Sequence, residues 1–285
     1  MKRKKRLIVL ICFAVVIAVA VVWFCIPYSP LIEDFEKDVN RLKENSRLYE
    51  DKDVFSKKDF AGKPTAICKY IENSGFLGQQ KMDLVRMDYH DVAFSQGKAG
   101  PKLTIDYIQY DFVKNPSRLA MIKSSMFGIP FQGYDYYHDG KGGMKGVIAK
   151  LFTLFDQTGE EMDKACLVTF LAESMFAPSI LLRDYIQFEE IDERQVKATI
   201  TAYGQTVSGI FTFNEAYEMI SFTTSDRAVI NSDGTVEYIP WSAVCGDYKM
   251  GANGVKHPTK FQAIWNYPDG DFIYFDGMIS SIDYK

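Results

Sequence analysis

The sequence predicts a β-rich α+β protein. An N-terminal transmembrane helix is expected, followed by a large curved antiparallel sheet, an open sheet or half-barrel, packed on one or two short helices. Residues 7–26 contain no charge, proline or glycine. Beyond residue 81, apolar residues recur with a period of two between turn-forming residues, as in half-buried strands. One strong helical pattern, over 158–182, interrupts these strands, so a helix is expected against the sheet.

The uncharged stretch 7–26 is long enough to cross a membrane. As a helix it would extend roughly 30 Å, the thickness of the hydrocarbon core of a bilayer. All five residues of 2–6 are Lys or Arg, and positive residues beside a first apolar segment stay in the cytoplasm. We therefore predict a cytoplasmic basic tail (1–6), a single-pass signal-anchor helix in the cell membrane (7–26) and a C-terminal domain outside.

A cleaved signal peptide, a lipoprotein signal and a buried core helix are the alternatives. Signal peptides carry a shorter apolar region, about 7–15 residues, that ends at small residues. Here the stretch ends in Trp23, Phe24 and Cys25, which are too bulky for that cleavage and fit a lipid-modified cysteine poorly. A core helix usually has a polar face, which this stretch lacks. An uncleaved anchor is the preferred interpretation.

The composition beyond the anchor limits the partners. It holds 28 basic and all 37 acidic residues, a net charge of −9, so neither nucleic acid nor an anionic lipid surface is expected as the main partner. Aromatic residues make up 14% of the chain, which suits a β-rich core or an apolar groove. Cys68, Cys166 and Cys245 form no C-x-x-C pair and are expected to be separate thiols, with one disulfide as the alternative.

Residues 27–63 are expected to form a charged juxtamembrane linker. Leu31, Phe35, Val39 and Leu42 recur at helical spacing, which predicts a short amphipathic helix. We interpret the segment as a solvated stalk rather than a partner-binding helix. A second short helix, Thr65–Asn73, ends at Gly75 and opens the extracytoplasmic domain, residues 64–285.

The extracytoplasmic domain is predicted to be mostly strands. In the helical segment, Thr158 and Glu161 predict a capping box, and Pro178 ends the main helix. Residues 144–155 fit a strand or a helix. Strands are predicted over 84–94, 102–112, 118–131, 134–138, 185–191, 195–203, 206–213, 219–225, 236–249, 260–267 and 271–284, with turns at 97–101, 139–143, 231–234 and 268–270.

The sequence marks no catalytic or metal site, and no cofactor is predicted. His90, His138 and His257 lie in separate segments without the spacing of zinc ligands. Residues 139–143 lack the spacing of a phosphate loop and favour a hairpin turn. Ser95-x-x-Lys98 matches the nucleophile motif of penicillin-recognising enzymes in letters only, because it lies at a strand end.

Glu173 is the candidate functional residue of the helix. It follows Cys166 and Phe170 along one face, so its carboxylate is expected to be partly buried and to need a partner. Arg227 is the predicted partner, in an ion pair with a structural role that holds the helix against the sheet. The alternative is a catalytic acid with a raised pKa. Phe176, Trp241 and Trp265 complete the candidate set for a ligand cleft, although the two tryptophans favour a core role.

Scattered landmarks of the outer domain resemble an uncharacterised bacterial domain-of-unknown-function family. They are Leu171-Ala-Glu173, Phe176, Pro178-Ser-Ile-Leu-Leu182, Arg227, Pro240-Trp241, Tyr248, Gly254, Pro258 and Trp265. The resemblance covers about 64–285 and implies membrane anchoring, with no established activity. Thr169-Phe170 and Phe176 stand where the family pattern has an Arg-Tyr pair and a Trp. The strand–helix–strand order is also similar to the half-barrel of envelope lipoprotein carriers, which hold acyl chains between sheet and helices.

Three functions remain open at this point. The first is an anchored, non-catalytic binding module for a lipid, another apolar ligand or an envelope partner, which a long apolar cavity under the helix would favour. The second is an envelope hydrolase using Glu173 or an unmarked triad, which converging carboxylates in an open cleft would favour. The third is a structural or sensing ectodomain for another membrane protein, which a filled core with a flat apolar patch would favour. The binding module is our prediction.

Overall fold

A single curved sheet dominates the outer part of the chain. The computed structural model describes residues 2–49, 53–95, 97–98, 100–230 and 235–285, and thirteen strands within them form one antiparallel sheet that does not close. A twisted sheet of this width curls, because the twist accumulates from strand to strand. The predicted fold class, a β-rich α+β protein with a long apolar N-terminal helix and short helices on a large sheet, is confirmed.

The elements follow in chain order. The helices are α1 (Lys2–Cys25), α2 (Pro30–Asn45), α3 (Thr65–Asn73) and α4 (Glu160–Glu173), with 3-10 turns at Ser174–Phe176 and Pro178–Leu182. The strands are β1 (Leu84–Ser95), β2 (Lys102–Phe112), β3 (Ser117–Met126), β4 (Ile129–His138), β5 (Lys141–Ile148), β6 (Phe152–Thr158), β7 (Ile186–Glu190), β8 (Gln195–Ala202), β9 (Gln205–Phe213), β10 (Met219–Thr224), β11 (Ala228–Ile230), β12 (Val236–Tyr238), β13 (Trp241–Met250), β14 (Lys256–Tyr267) and β15 (Gly270–Tyr284).

The chain path places α4 across the concave face. Strands β1 to β6 run as successive hairpins to one edge of the sheet, and β7 starts the opposite edge. The returning strands end with β15, which pairs with β1 at the centre, Val85 opposite Tyr284. Strands β11 and β12 form a separate small hairpin between β10 and β13. Because α4 and the 3-10 turns connect the two edges, they lie against the inner face of the sheet.

The outer face of β1–β5 is covered by α2. The predicted helix is confirmed, and its four apolar residues at helical spacing are all buried. They pack against outer-face residues such as Tyr110, Leu119 and Tyr134. The ring centroids of Phe35 and Tyr134 lie 5.7 Å apart in an edge-on arrangement. The interpretation of this helix as a solvated stalk is therefore wrong, because its apolar stripe has a partner surface in the domain.

Close packing of α4 on β5 depends on Gly142. A Cβ at this position would lie 2.8 Å from Cys166 Sγ, so a side chain would separate helix and strand. The Gly142 amide donates to Asp163 Oδ1 at 2.7 Å. The predicted Thr158–Glu161 capping box is wrong, because Thr158 ends β6 opposite Gly143 and α4 begins after Gly159 without a side-chain cap.

Three further local predictions concern the segment 144–155 and two turns. Residues 144–148 and 152–155 belong to strands β5 and β6, and 149–151 form the turn between them. Asp139 and Gly140, both at positive φ, form the tight turn between β4 and β5, as predicted. The turn predicted at 231–234 lies outside the described residues.

Helix α1 is exposed over most of its length, and Ala20, Trp23 and Phe24 near its end are half-buried. It is the one helix in the described part of the chain that is long and apolar enough to cross a membrane, a criterion that N-terminal signal sequences also meet. Its end contacts the turn between β5 and β6: Trp23 Nε1 donates to the Ala149 carbonyl at 2.9 Å, and Lys150 Nζ donates to the Trp23 carbonyl at 2.9 Å.

Candidate functional site

A large cavity lies between the inner face of the sheet and α4. Its volume is about 1180 Å³. Aromatic rings form most of the sheet wall, and Tyr107 and Phe275 pack edge to face with centroids 5.3 Å apart. The aromatic lining residues are Tyr89, Phe94, Tyr107, Phe155, Trp241, Phe261, Trp265, Tyr267, Phe272, Tyr274 and Phe275. The cavity is therefore suited to apolar ligands over most of its surface.

The two ends of the cavity differ in exposure. At one end Arg118 and Glu173 line it, each with a side chain 4% exposed; we call this end the floor. The other end is lined by residues 97–98, 100–101, Leu154 and Tyr267, which are half-buried or exposed; we call it the mouth. The cavity thus runs from an exposed mouth to a buried polar floor.

Arg118 organises the floor. Its Nε donates to Glu173 Oε2 at 2.7 Å, and its Nη1 donates to Asp135 Oδ2 at 2.7 Å. Its Nη2 donates to the hydroxyl of Tyr107. One guanidinium therefore holds two carboxylates from different elements, Glu173 from the end of α4 and Asp135 from β4.

Gln109, which also lines the cavity, connects this cluster to Asp111 behind the cavity wall. Side chains alternate along β2, so Tyr107, Gln109 and Asp111 all point to the inner face. In the register of β2 with β3, Asp111 lies directly opposite Arg118. Gln109 Nε2 donates to Glu173 Oε2 at 2.7 Å and to both oxygens of Asp111 at 2.9 and 3.0 Å. Gln109 therefore bridges the two carboxyl groups.

Burial changes the protonation of the cluster. It raises the pKa of Asp111 well above its usual range, and the nearby negative charge of Glu173 raises it further, against the opposing effect of Arg118. Burial also raises the pKa of Glu173, although Arg118 offsets part of this effect. A proton on Asp111 removes one negative charge from the floor, where Arg118 then faces the carboxyl groups of Glu173 and Asp135 only.

Arg227 does not pair with Glu173, contrary to the sequence-based expectation. Its Nη1 donates to the Ala165 carbonyl and the Thr169 hydroxyl on α4. Its guanidinium lies over two aromatic rings, 5.0 Å from the Trp241 centroid and 5.7 Å from that of Trp265. Arg118, on the inner face of β3, lies beside Glu173 and pairs with it instead. Arg227 still links the helix to the sheet, and it lines the cavity.

The aromatic candidates divide between wall and core. Trp241 and Trp265 face each other across β13 and β14, and both line the cavity. Trp241 is buried and its Nε1 donates to the Tyr274 hydroxyl at 3.0 Å. Phe176 is buried beside Phe261, with ring centroids 6.0 Å apart, and it does not line the cavity. The structure thus brings four of the five candidates to one cavity and leaves Phe176 in the core.

Sequence reasoning missed Arg118, Gln109, Asp111 and Asp135. The period of two that turns Ile105 and Tyr107 inward also turns Gln109 and Asp111 inward, so the signal was present in β2. Among the described residues, no group of three or more His, Cys, Asp or Glu side chains is arranged to hold a metal ion.

Comparison with known proteins assigns the chain to a family. The model of the family of unknown function DUF6544 matches residues 53–277. The chain belongs to DUF6544. The resemblance to an uncharacterised family is thereby confirmed. The DUF6544 region includes α4, Arg118, Glu173 and Arg227, whereas α1 and α2 precede it.

Two solved structures are similar to this chain at low sequence identity. One is described as an outer membrane lipoprotein-sorting protein domain from Vibrio parahaemolyticus, with 9% identity, a TM-score of 0.42 and coverage of 78% of this chain and 92% of that chain. The other is a DUF1329 family protein from Desulfovibrio piger, with 9% identity, a TM-score of 0.40 and coverage of 77% and 92%. No curated protein matches the chain.

Proposed function

We propose that the protein is a membrane-anchored extracytoplasmic binding module that holds a lipid or another apolar ligand in the cavity, without catalysis. The observation that carries this proposal is the aromatic-lined space left between the sheet and α4. Small-molecule sites usually occupy about 300–1,000 Å³, so this cavity has room for a ligand with long chains.

The anchor is the second part of the proposal. Helix α1 begins with the basic residues 2–6 and is apolar and mostly exposed from Leu7 onward. A helix of this kind spans a bilayer with its basic end in the cytoplasm, which places the sheet outside the cell membrane. The cavity then stands close to a supply of lipid.

A hydrolase remains the second candidate, because Glu173 and Asp135 both line the cavity. Converging carboxylates are the usual arrangement for acid–base catalysis of hydrolysis. Here both accept hydrogen bonds from Arg118, which holds them as one ion-paired cluster rather than as a separate acid and base. A structural or sensing ectodomain is less well supported, because a filled core would favour it and this protein has a cavity between sheet and helix.

Filling the cavity is expected to remove the ligand. Ala263 is buried on β14 and lines the cavity, so Ala263→Phe places a ring in the ligand space. Gln262 precedes it and faces the other side of the sheet, so Gln262→Phe is the matched control. Lipids bound to the full-length chain, purified in one detergent, are quantified by mass spectrometry. We expect Ala263→Phe to lose most of one lipid class that the natural protein and Gln262→Phe retain.

Unfolding midpoints of the three proteins establish that the variants are folded. Lipids around α1 are common to all three, so only the difference between them reports on the cavity. Equal lipid content in all three proteins would contradict the proposed binding.

A further inference from the structure

We infer that the mouth of the cavity sits on the membrane, with a row of apolar residues at the β3–β4 and β5–β6 connections inserted in the bilayer interface. The row consists of Phe127, Leu151, Phe152 and Leu154. This inference rests on the proposed anchor, and it adds the orientation of the domain and the route of the ligand. Lipid would enter the cavity from the bilayer without crossing water.

The topology brings the row and the mouth to the same end of the sheet. In an antiparallel sheet, alternate turns share one end. The β1–β2, β3–β4, β5–β6 and β14–β15 connections therefore lie together, because β1 to β6 and β14 to β15 are joined as antiparallel neighbours. The mouth is formed at the β1–β2 and β14–β15 connections, and the apolar row at the two others.

The row is apolar and uncovered. Phe127 is fully exposed at the tip of the β3–β4 turn, and Leu151, Phe152 and Leu154 are 59%, 66% and 51% exposed. Leu154 also lines the cavity, so the row is continuous with the cavity wall. Large apolar side chains grouped at one edge mark an interaction surface, since burying them removes apolar area from water.

The end of α1 identifies the partner of this surface. Lys150, in the β5–β6 turn, is buried against the end of α1, and its Nζ donates to the Trp23 and Ile26 carbonyls at 2.9 and 2.5 Å. Lys150 thus satisfies carbonyl groups that the end of a helix leaves without partners. Trp23 lies near the outer end of the apolar stretch, the depth at which tryptophan marks the membrane–water interface. The adjoining Leu151 and Phe152 therefore reach the same depth.

The charge of the outer domain fits apolar contact with lipid. A net charge of −9 gives no general attraction to anionic lipid, so insertion of apolar side chains is the better source of contact. A vesicle of zwitterionic phosphatidylcholine is accordingly the probe for the experiment.

Photo-crosslinking tests the orientation. A benzophenone amino acid replaces Phe127 or Phe152 in the full-length chain, which is then reconstituted into phosphatidylcholine vesicles and irradiated. Met250 is the matched control, since it is 65% exposed and ends β13 at the opposite end of the sheet. We expect lipid adducts at 127 and 152, severalfold above the level at 250. Equal adduct levels at all three positions, or none, would overturn the inference.

A second variant tests the route of the ligand. Phe127→Ser/Phe152→Ser is expected to slow the transfer of lipid from vesicles into the cavity severalfold, and an unchanged rate would contradict entry from the bilayer. Failure of this inference is distinguishable from failure of the proposed function. Lipid adducts at 127 and 152, with equal bound lipid in Ala263→Phe and the natural protein, would support the orientation and reject lipid binding in the cavity. Loss of bound lipid in Ala263→Phe, without specific adducts at 127 and 152, would reject only the orientation.

Discussion

Arg118→Met is expected to lower the free energy of unfolding by about 3–5 kcal/mol, the usual cost of removing one partner from a buried ion pair. The variant would leave the buried Glu173 and the half-buried Asp135 without the cation that pairs with both carboxylates. Methionine keeps similar length and apolar volume, so the loss reports on charge rather than on packing. Chemical denaturation of the full-length chain in detergent micelles measures it.

Two further variants separate this effect from a general loss of arginine. Arg86→Met removes a guanidinium from β1, two strands away in the same sheet, where the side chain is 32% exposed and pairs with Asp88 at 2.9 Å. Its cost is expected to be at most about 1 kcal/mol, as for other exposed pairs. Adding Glu173→Leu to Arg118→Met should recover much of the stability, because it removes the unpaired carboxylate. A loss below about 1 kcal/mol for Arg118→Met would contradict the role of the cluster.

Asp111→Asn is expected to make the protein increasingly more stable than the natural protein as pH rises. The raised pKa of Asp111 means that the folded state keeps its proton at pH values where the unfolded state has lost it. The stability contributed by the protonated carboxyl is complete below about pH 4, the pKa of an unfolded aspartate. It then decreases by up to about 1.4 kcal/mol per pH unit until the pKa of the folded protein is reached.

Asparagine resembles protonated aspartate in shape and does not titrate, so the variant should lack this decrease. Free energies of unfolding of both proteins between pH 4 and pH 9 measure the difference, and the acid end serves as the internal control. Glu173 contributes in the same direction in both proteins, because its pKa is raised as well. A constant difference between the two proteins across this range would show that Asp111 does not hold its proton in the folded state.

The fold was largely predictable because it follows from local patterns. The period of two along 102–112 placed Ile105 and Tyr107 on the buried face, and Gly75 ended a short helix at positive φ. A single helical segment between runs of strands predicted the helix against the sheet. These patterns arise from neighbouring residues, so one sequence is enough to interpret them.

The floor of the cavity was only half predictable. The need of a buried Glu173 for a partner follows from the sequence, but the identity of the partner depends on which strand faces the end of α4. Arg118 and Arg227 are equally plausible by residue type. The pairing of β2 with β3 and the separate β11–β12 hairpin decide between them.

The contacts that α1 and α2 make with the sheet could not be predicted from the sequence. The apolar stripe of α2 is equally compatible with a solvated stalk, with a helix that binds a partner and with packing on the domain itself. The burial of Lys150 against the end of α1 joins groups more than 120 residues apart. No local pattern indicates such a contact, because it depends on the shape of the folded sheet.

Photolabelling of the cavity wall tests the central claim most directly. The full-length chain is reconstituted with a phospholipid that carries a photoreactive group at the end of an acyl chain, and labelled peptides are mapped by mass spectrometry. We predict labels on inner-face residues of β14 and β15, such as Phe261 and Tyr274, and their loss in Ala263→Phe. Labels confined to α1 and to the exposed turns would contradict the claim that the cavity holds lipid.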